Sequence, residues 1–241
     1  VFWVILVLLI ILVLAYFVLF SWFQVSKINV SGNDKAKSED IENLVSAFVN
    51  KKIIGIGTFE LYSKSILFLK KNKLSENILK EFPLVEIIQI KKKIPDIINV
   101  EIKERQQVAV FCNSSCFAID GNGIIFEVIE NVPQDSLVLR LLNEGDFYLG
   151  QNVISKKDMG TIYNIQQVLK DEFQIETKEA LVSETLILKT KEGWSIYFDA
   201  MSDIDLQIAE MKALLKDEIS QEKRQNLEYI YLQYKDRAYY K

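Results

Sequence analysis

Apolar and polar positions follow three patterns along the chain. From Val1 to Phe23 every residue is Val, Ile, Leu, Phe, Trp, Ala or Tyr except Ser21, and the first charge is Lys27. A helix over this run rises roughly 34 Å at 1.5 Å per residue, enough for a hydrocarbon core of about 30 Å. Residues 1–23 therefore predict a single transmembrane helix, with Trp22 and Phe23 at one membrane interface. A cleaved signal peptide has a shorter apolar region and a small-x-small cleavage site, and neither is present. Charge bias assigns no orientation, because the sequence supplies no N-terminal flank to weigh against Lys27.

Beyond Phe23 the pattern becomes amphipathic. Val25, Ile28 and Val30 predict a short strand, closed by the turn signal Ser31-Gly32-Asn33-Asp34. Ser38 is placed to cap a helix whose first turn carries Glu39, Asp40 and Glu42, and Ile41, Leu44, Val45 and Phe48 form one apolar stripe. A second helix is expected over Lys64–Phe82, ended by Pro83. Val85–Lys92 and Ile98–Glu104 alternate apolar with polar residues around the turn Lys93-Ile94-Pro95-Asp96, which predicts two strands covered on one face. The order is β-α-α-β-β.

After Arg105 short apolar runs predominate. Val108–Cys112, Phe117–Asp120, Ile124–Val128 and Leu137–Leu142 read as strands, the middle pair joined by the turn signal Asp120-Gly121-Asn122-Gly123. Ser155 opens a helix to Glu172, followed by strands at Leu186–Thr190 and Trp194–Asp199. Ile204, Ile208, Met211 and Leu215 then mark a further helix, and a Tyr-rich extended segment closes the chain. The fold class expected is α+β: a transmembrane helix (1–23), a β-α-α-β-β domain (24–104), and a domain with an antiparallel sheet and flanking helices (105–241).

Composition narrows the function. A net charge of −4 and a pI near 5.2 argue against nucleic-acid binding through overall charge. The chain has no His, which removes Ser-His-Asp and Cys-His catalysis and every His-containing metal site. Glu101 with Glu104 and Asp199 with Asp203 are formally available carboxylate pairs, of a kind common on solvated strands and turns. No phosphate-binding glycine motif occurs, so no catalytic residue, metal, cofactor or small-molecule substrate is expected. Cys112 and Cys116 frame an Asn-Ser-Ser turn; a disulfide, two free thiols and a redox or metal role all remain open, although two thiolates are too few for a closed zinc site. Lys91-Lys92-Lys93 is a basic run that reads as a solvated turn or as a contact for anionic lipid headgroups or a partner.

Several strings resemble the FtsQ/DivIB family of bacterial division proteins. Val25-x-x-Ile28-x-Val30-x-Gly32-Asn33 is similar to the opening of a POTRA domain, and Val100-x-Ile102-x-Glu104-Arg105 after Pro95 to its closing strand. Ala118-Ile119-Asp120-x-x-Gly123 resembles the hairpin that follows, and Gly193-Trp194, the helix Leu206–Ile219, Leu232 and Tyr234 resemble the later β-domain. The family's last strand often has an acidic residue before this Leu and an Arg after it, where this chain has Tyr231 and Gln233. The resemblance implies a single-pass protein of the cell membrane with its C-terminal part extracytoplasmic. It also implies a scaffolding role in septum formation, with other division proteins of the FtsB/FtsL type and the lipid bilayer as partners. A single POTRA domain would also suit polypeptide transport or membrane-protein assembly, although no barrel pattern accompanies it; a membrane-anchored cell-wall enzyme is a third reading.

With that resemblance in view, Tyr229, Tyr231, Gln233, Tyr234 and Arg237 become candidate partner-binding residues. The expectation is that this last strand lies at a sheet edge and accepts a partner's strand, with Ile230, Leu232 and Tyr234 on one face and Tyr229, Tyr231 and Gln233 on the other. Lys235, Asp236, Arg237 and Lys241 would restrict pairing to the right partner.

Overall fold

The computed structural model describes residues 2–16, 22–56, 59–142, 145–234 and 237–241, with 53–56 and 59–62 as backbone only. The chain divides into two compact units, Val1–Arg105 and Gln106–Lys241, each with its own sheet and core.

The first unit opens with helix α1 (Phe2–Tyr16), apolar on every side and exposed along its length. Its 15 residues rise about 22 Å, and no helix among the described residues is long and apolar enough to cross a membrane. Residues 1 and 17–21 of the expected span lie outside the described residues. Next come β1 (Lys27–Ser31), α2 (Ser38–Val49), a hairpin of β2 (Lys51–Ile56) and β3 (Phe59–Ser63), a 3-10 turn at Ile66–Phe68, α3 (Lys71–Glu81), β4 (Val85–Lys93) and β5 (Ile97–Glu104). The sheet order is β1-β5-β4, with β1 parallel and β4 antiparallel to the central β5. Helix α2 buries Ile41, Val45 and Val49, and α3 buries Leu74 and Ile78, against Ile98, Val100 and Ile102 of β5.

Two expectations are corrected here. The helix foreseen over 64–82 begins only at Lys71, because Ser63–Ile66 is drawn into pairing with the chain that follows the apolar run. Ile66 donates to the Phe23 carbonyl at 2.9 Å, and Val25 donates to that of Lys64 at 3.1 Å. Nor does Ser38 cap α2: it is the first helical residue, and Lys37 at the cap position makes no side-chain bond. The backbone just ahead of the helix is held by Glu104 instead, whose carboxylate accepts from the amides of Asp34 (2.8 Å), Lys35 (3.0 Å) and Ala36 (2.8 Å). Arg105 beside it donates Nε to the Pro83 carbonyl at 2.9 Å. The loop can come this close only because residue 32 is Gly, with φ +81° and a Cβ position 2.1 Å from the Ile102 carbonyl oxygen.

The second unit contains β6 (Ala109–Cys112), β7 (Cys116–Ile119), β8 (Ile125–Ile129), β9 (Val138–Leu141), α4 (Lys156–Phe173), β10 (Thr177–Val182), β11 (Thr185–Thr190), β12 (Ser195–Asp199), α5 (Ile204–Ala213), α6 (Gln221–Arg224), β13 (Tyr229–Tyr234) and β14 (Arg237–Tyr240). Helix α5 runs on into a π-helical turn at Leu214–Glu218. All nine strands form one sheet, ordered β14-β13-β12-β11-β10-β9-β6-β7-β8. The antiparallel sheet expected from the sequence is in fact mixed, since β6–β9, β9–β10 and β12–β13 pair in parallel. A parallel neighbour cannot be reached by a tight turn, so the chain crosses over through α4 and again through α5. Both helices bury their apolar stripes on one cross-strand row, Phe117, Phe111, Leu139, Ala180, Leu188, Ile196 and Ile230. Ser155 caps α4 by accepting from the Asp158 amide, and Asp203 caps α5 by accepting from Asp205 and Leu206.

Partial burial opposes ionisation of Glu104, but its three backbone donors outweigh this and hold the carboxyl below its ordinary 4.5. The stabilisation it supplies is thus complete above the unfolded value and fades as pH falls through the folded one. Glu104→Gln should cost about 1 kcal/mol at pH 7. Denaturant unfolding at a series of pH values should also show the variant losing less stability than the parent on acidification below pH 5.

Candidate functional site

With α4 and α5 packed on one face of the large sheet, the other face at the C-terminal end carries a second cross-strand row. Leu181, Ile187, Tyr197, Tyr231 and Tyr239 are successive register partners across β10, β11, β12, β13 and β14. The tyrosine rings pack on one another. Tyr231 lies 4.4 Å from Tyr197 and 4.4 Å from Tyr229 between ring centroids, and Tyr234 meets Tyr231 edge-on at 6.4 Å and Tyr239 at 5.6 Å. Tilted and edge-on aromatic contacts of this kind stiffen such a surface. Partial burial, with Tyr197 and Tyr229 alongside, pushes the Tyr231 phenol above its ordinary value. At the margin of the row, Glu179 is held between Arg140 (2.7 Å) and Lys189 (2.9 Å).

The structure redistributes the residues nominated from the sequence. Tyr229 and Tyr231 do share the face away from the helices, and Ile230 and Leu232 are buried in the core. Tyr234, expected with the core residues, instead joins the outer tyrosines and is half exposed, because the register with β14 shifts between Tyr231 and Tyr234. Gln233 is half-buried. The strand they occupy is not the sheet edge. β14 pairs antiparallel with β13, and Lys241 extends the ladder by exchanging backbone bonds with Tyr229. Arg237 opens β14, so the edge presented to solvent belongs to Arg237–Tyr240; Lys235 and Asp236 lie outside the described residues. Reading the chain missed Tyr197 and Tyr239, whose place in the row depends on which strands are neighbours.

The formal carboxylate pairs are engaged in structural bonds. Glu104 holds the three amides of the 34–36 loop, and Glu101 pairs with Lys91 at 2.9 Å. Asp199 is held below its ordinary value by the Ser202 hydroxyl and the Met201 amide, and Asp203 is the α5 cap. Among the described residues no group of three His, Cys, Asp or Glu is placed to hold a metal ion. Cys112 and Cys116, register partners at the tip of the β6–β7 hairpin, are joined in a disulfide.

The first unit coincides with a known domain type: the model of the POTRA domain, FtsQ-type, matches residues 23–105. Cell division protein DivIB of Clostridium acetobutylicum is 31% identical over 119 residues, which is 48% of this chain and 42% of that protein. Cell division protein FtsQ of Streptomyces griseus is 20% identical over 125 residues, 52% of this chain and 54% of that protein. The chain thus carries an FtsQ-type POTRA domain and is similar, over about half its length, to division proteins named DivIB and FtsQ. It spans about half the length of the curated relatives it matches. The Glu104-Arg105 pair at the end of this domain has a local physical account, since Glu104 ties the loop ahead of α2 to the last strand and Arg105 ties that strand's end to the Pro83 carbonyl. The domain match ends before the second unit, so the tyrosine surface rests on its own geometry.

In an ultraviolet titration of the phenols, Tyr231→Phe should remove a component that ionises above the ordinary phenol range. Opening the disulfide with Cys112→Ser and Cys116→Ser together should cost about 2 kcal/mol, the loop-closure value for so short a ring. Thermal unfolding of the parent with and without reductant should show the same difference.

Proposed function

We propose that this chain is a membrane-anchored, non-enzymatic scaffold of bacterial cell division, using the tyrosine-bearing end of its large sheet to hold other single-pass division proteins of the FtsB/FtsL type. Residues 1–23 supply the anchor, the POTRA-like domain (24–104) and the β-domain (105–241) lie outside the cytoplasm, and the held partners are thereby linked to septal peptidoglycan synthesis. The observation that carries the reading is the outward tyrosine row beside the open edge of β14, in a chain that carries an FtsQ-type POTRA domain. An open edge offers main-chain donors and acceptors to an added strand, and rigid aromatics give contact area at low entropic cost. The anchor is supported by α1, apolar on every side, and by an apolar run that continues in sequence to Phe23. The absence of His and the structural engagement of the paired carboxylates favour binding over chemistry.

Alternation along β14 aims the Lys241 amide at Tyr229 and therefore the Tyr240 amide away from β13. The test is binding of the full chain in nanodiscs to the extracytoplasmic segments of FtsB- and FtsL-type proteins from the same organism. Tyr231→Glu should weaken binding about 30-fold or more, as loss of a central aromatic anchor does. Tyr240→Pro, which removes the outward donor, should weaken binding clearly more than Tyr240→Ala. Binding that survives all three changes moves the site elsewhere, and no binding to any division partner overturns the scaffold reading.

A further inference from the structure

The first unit carries a second surface that the partner site does not use. Leu67 and Phe68, in the 3-10 turn between β3 and α3, are 42% and 47% exposed, although Ile66 beside them is fully buried. Two lysines from other elements converge on this turn: Lys51 of β2 donates Nζ to the Phe68 carbonyl at 3.4 Å, and Lys92 of β4 reaches the Leu67 carbonyl at 3.5 Å. Lys71, at the start of α3, is a third. None of the three pairs with a carboxylate among the described residues, whereas the neighbouring Lys91 is neutralised by Glu101. Partial burial and the positive charges of Lys71 and Lys51 pull the Lys92 ammonium below its ordinary value, as in a cluster of like charges without a counter-ion.

The position of this turn is tied to the apolar run. Phe23, the last residue of that run, accepts from the Ile66 amide, and Val25 donates to the Lys64 carbonyl. The side chain of Gln24 accepts from the Lys64 amide at 2.9 Å and donates to the Ser63 hydroxyl at 3.2 Å. Trp22, 66% exposed, precedes this clamp. The Leu67–Phe68 turn and its lysines are therefore fastened to the residues at which the chain leaves its apolar segment.

From these observations we infer that Lys51, Lys71 and Lys92 with Leu67 and Phe68 form a contact for an anionic lipid surface, the headgroups binding the ammonium groups while the two apolar side chains enter the interface. The charge fits phosphate headgroups, the exposed apolar pair fits the headgroup–acyl boundary, and the clamp holds both where a bilayer would lie. The inference rests on the membrane-anchor part of the function proposed above.

The experiment uses the full chain with vesicles of phosphatidylcholine alone and with a third phosphatidylglycerol, read by flotation, by alkaline-carbonate extraction and by amide hydrogen exchange of peptides covering residues 64–71 and 90–96. The contact predicts slower exchange in these peptides only when phosphatidylglycerol is present. That protection should be lost in Lys51→Gln/Lys71→Gln/Lys92→Gln and kept when Lys156, Lys157 and Lys178 are replaced instead. Extraction by carbonate from both lipids overturns the anchor, and the contact then stands or falls on whether flotation requires phosphatidylglycerol and the three lysines. Exchange and flotation alike in both lipids, or protection that survives the triple variant, overturns the contact.

Discussion

The parallel pairing of β12 with β13, Ser195 with Tyr229 and Ile196 with Ile230, is the constraint on which the proposed binding surface depends. Parallel neighbours need a crossover, and residues 200–228 supply it as α5, its π-helical turn and α6. A crossover must lie on one face of a sheet. It buries Ile208, Met211 and Leu215 there against Ile196, Phe198, Ile230 and Leu232. Everything of opposite parity on the same strands is thereby left outward, and Tyr197, Tyr229 and Tyr231 become a surface rather than a core. The parallel joint between β9 and β10, crossed by α4, covers the same face further along the sheet.

The first unit uses the same device on a smaller scale. Its opening strand β1 lies parallel to its closing strand β5, so residues seventy positions apart are register partners, and the loop after β1 must meet the end of β5. Gly32 admits the close approach, and Glu104 accepts from the three loop amides of Asp34, Lys35 and Ala36 just ahead of α2. Loop amides drawn up against a strand end need acceptors, and here a residue from the far end of the domain supplies them.

Acidic groups throughout the molecule are engaged in this architectural work, as caps for α5 and the 34–36 loop or as partners of Arg140, Lys189 and Lys91. Among the described residues, stacked phenols beside an open strand and a trio of lysines around an exposed Leu-Phe pair stand outside it. We propose the first for another polypeptide and the second for phosphate-bearing lipid.

The sequence by itself determined the elements whose signal is local. The alternation in Ile98–Glu104, the stripe Ile204-Ile208-Met211-Leu215, the cap at Ser155 and the turn at Asp120–Gly123 each need only neighbours within a few positions. Elements without such a signal escaped it. Thr177–Val182 has Lys178 and Glu179 side by side, Arg237–Tyr240 is a strand only because β13 lies beside it, and the paired strands Lys51–Ile56 and Phe59–Ser63 fall in the stretch left unassigned between the two expected helices. Tertiary structure alone decided that the joints at β9–β10 and β12–β13 are parallel, that β14 rather than β13 is the edge, and that Tyr234 turns to join Tyr231. These outcomes depend on which backbone groups find each other across long separations, and hydrogen bonds of that kind leave no periodic mark on the residues that make them.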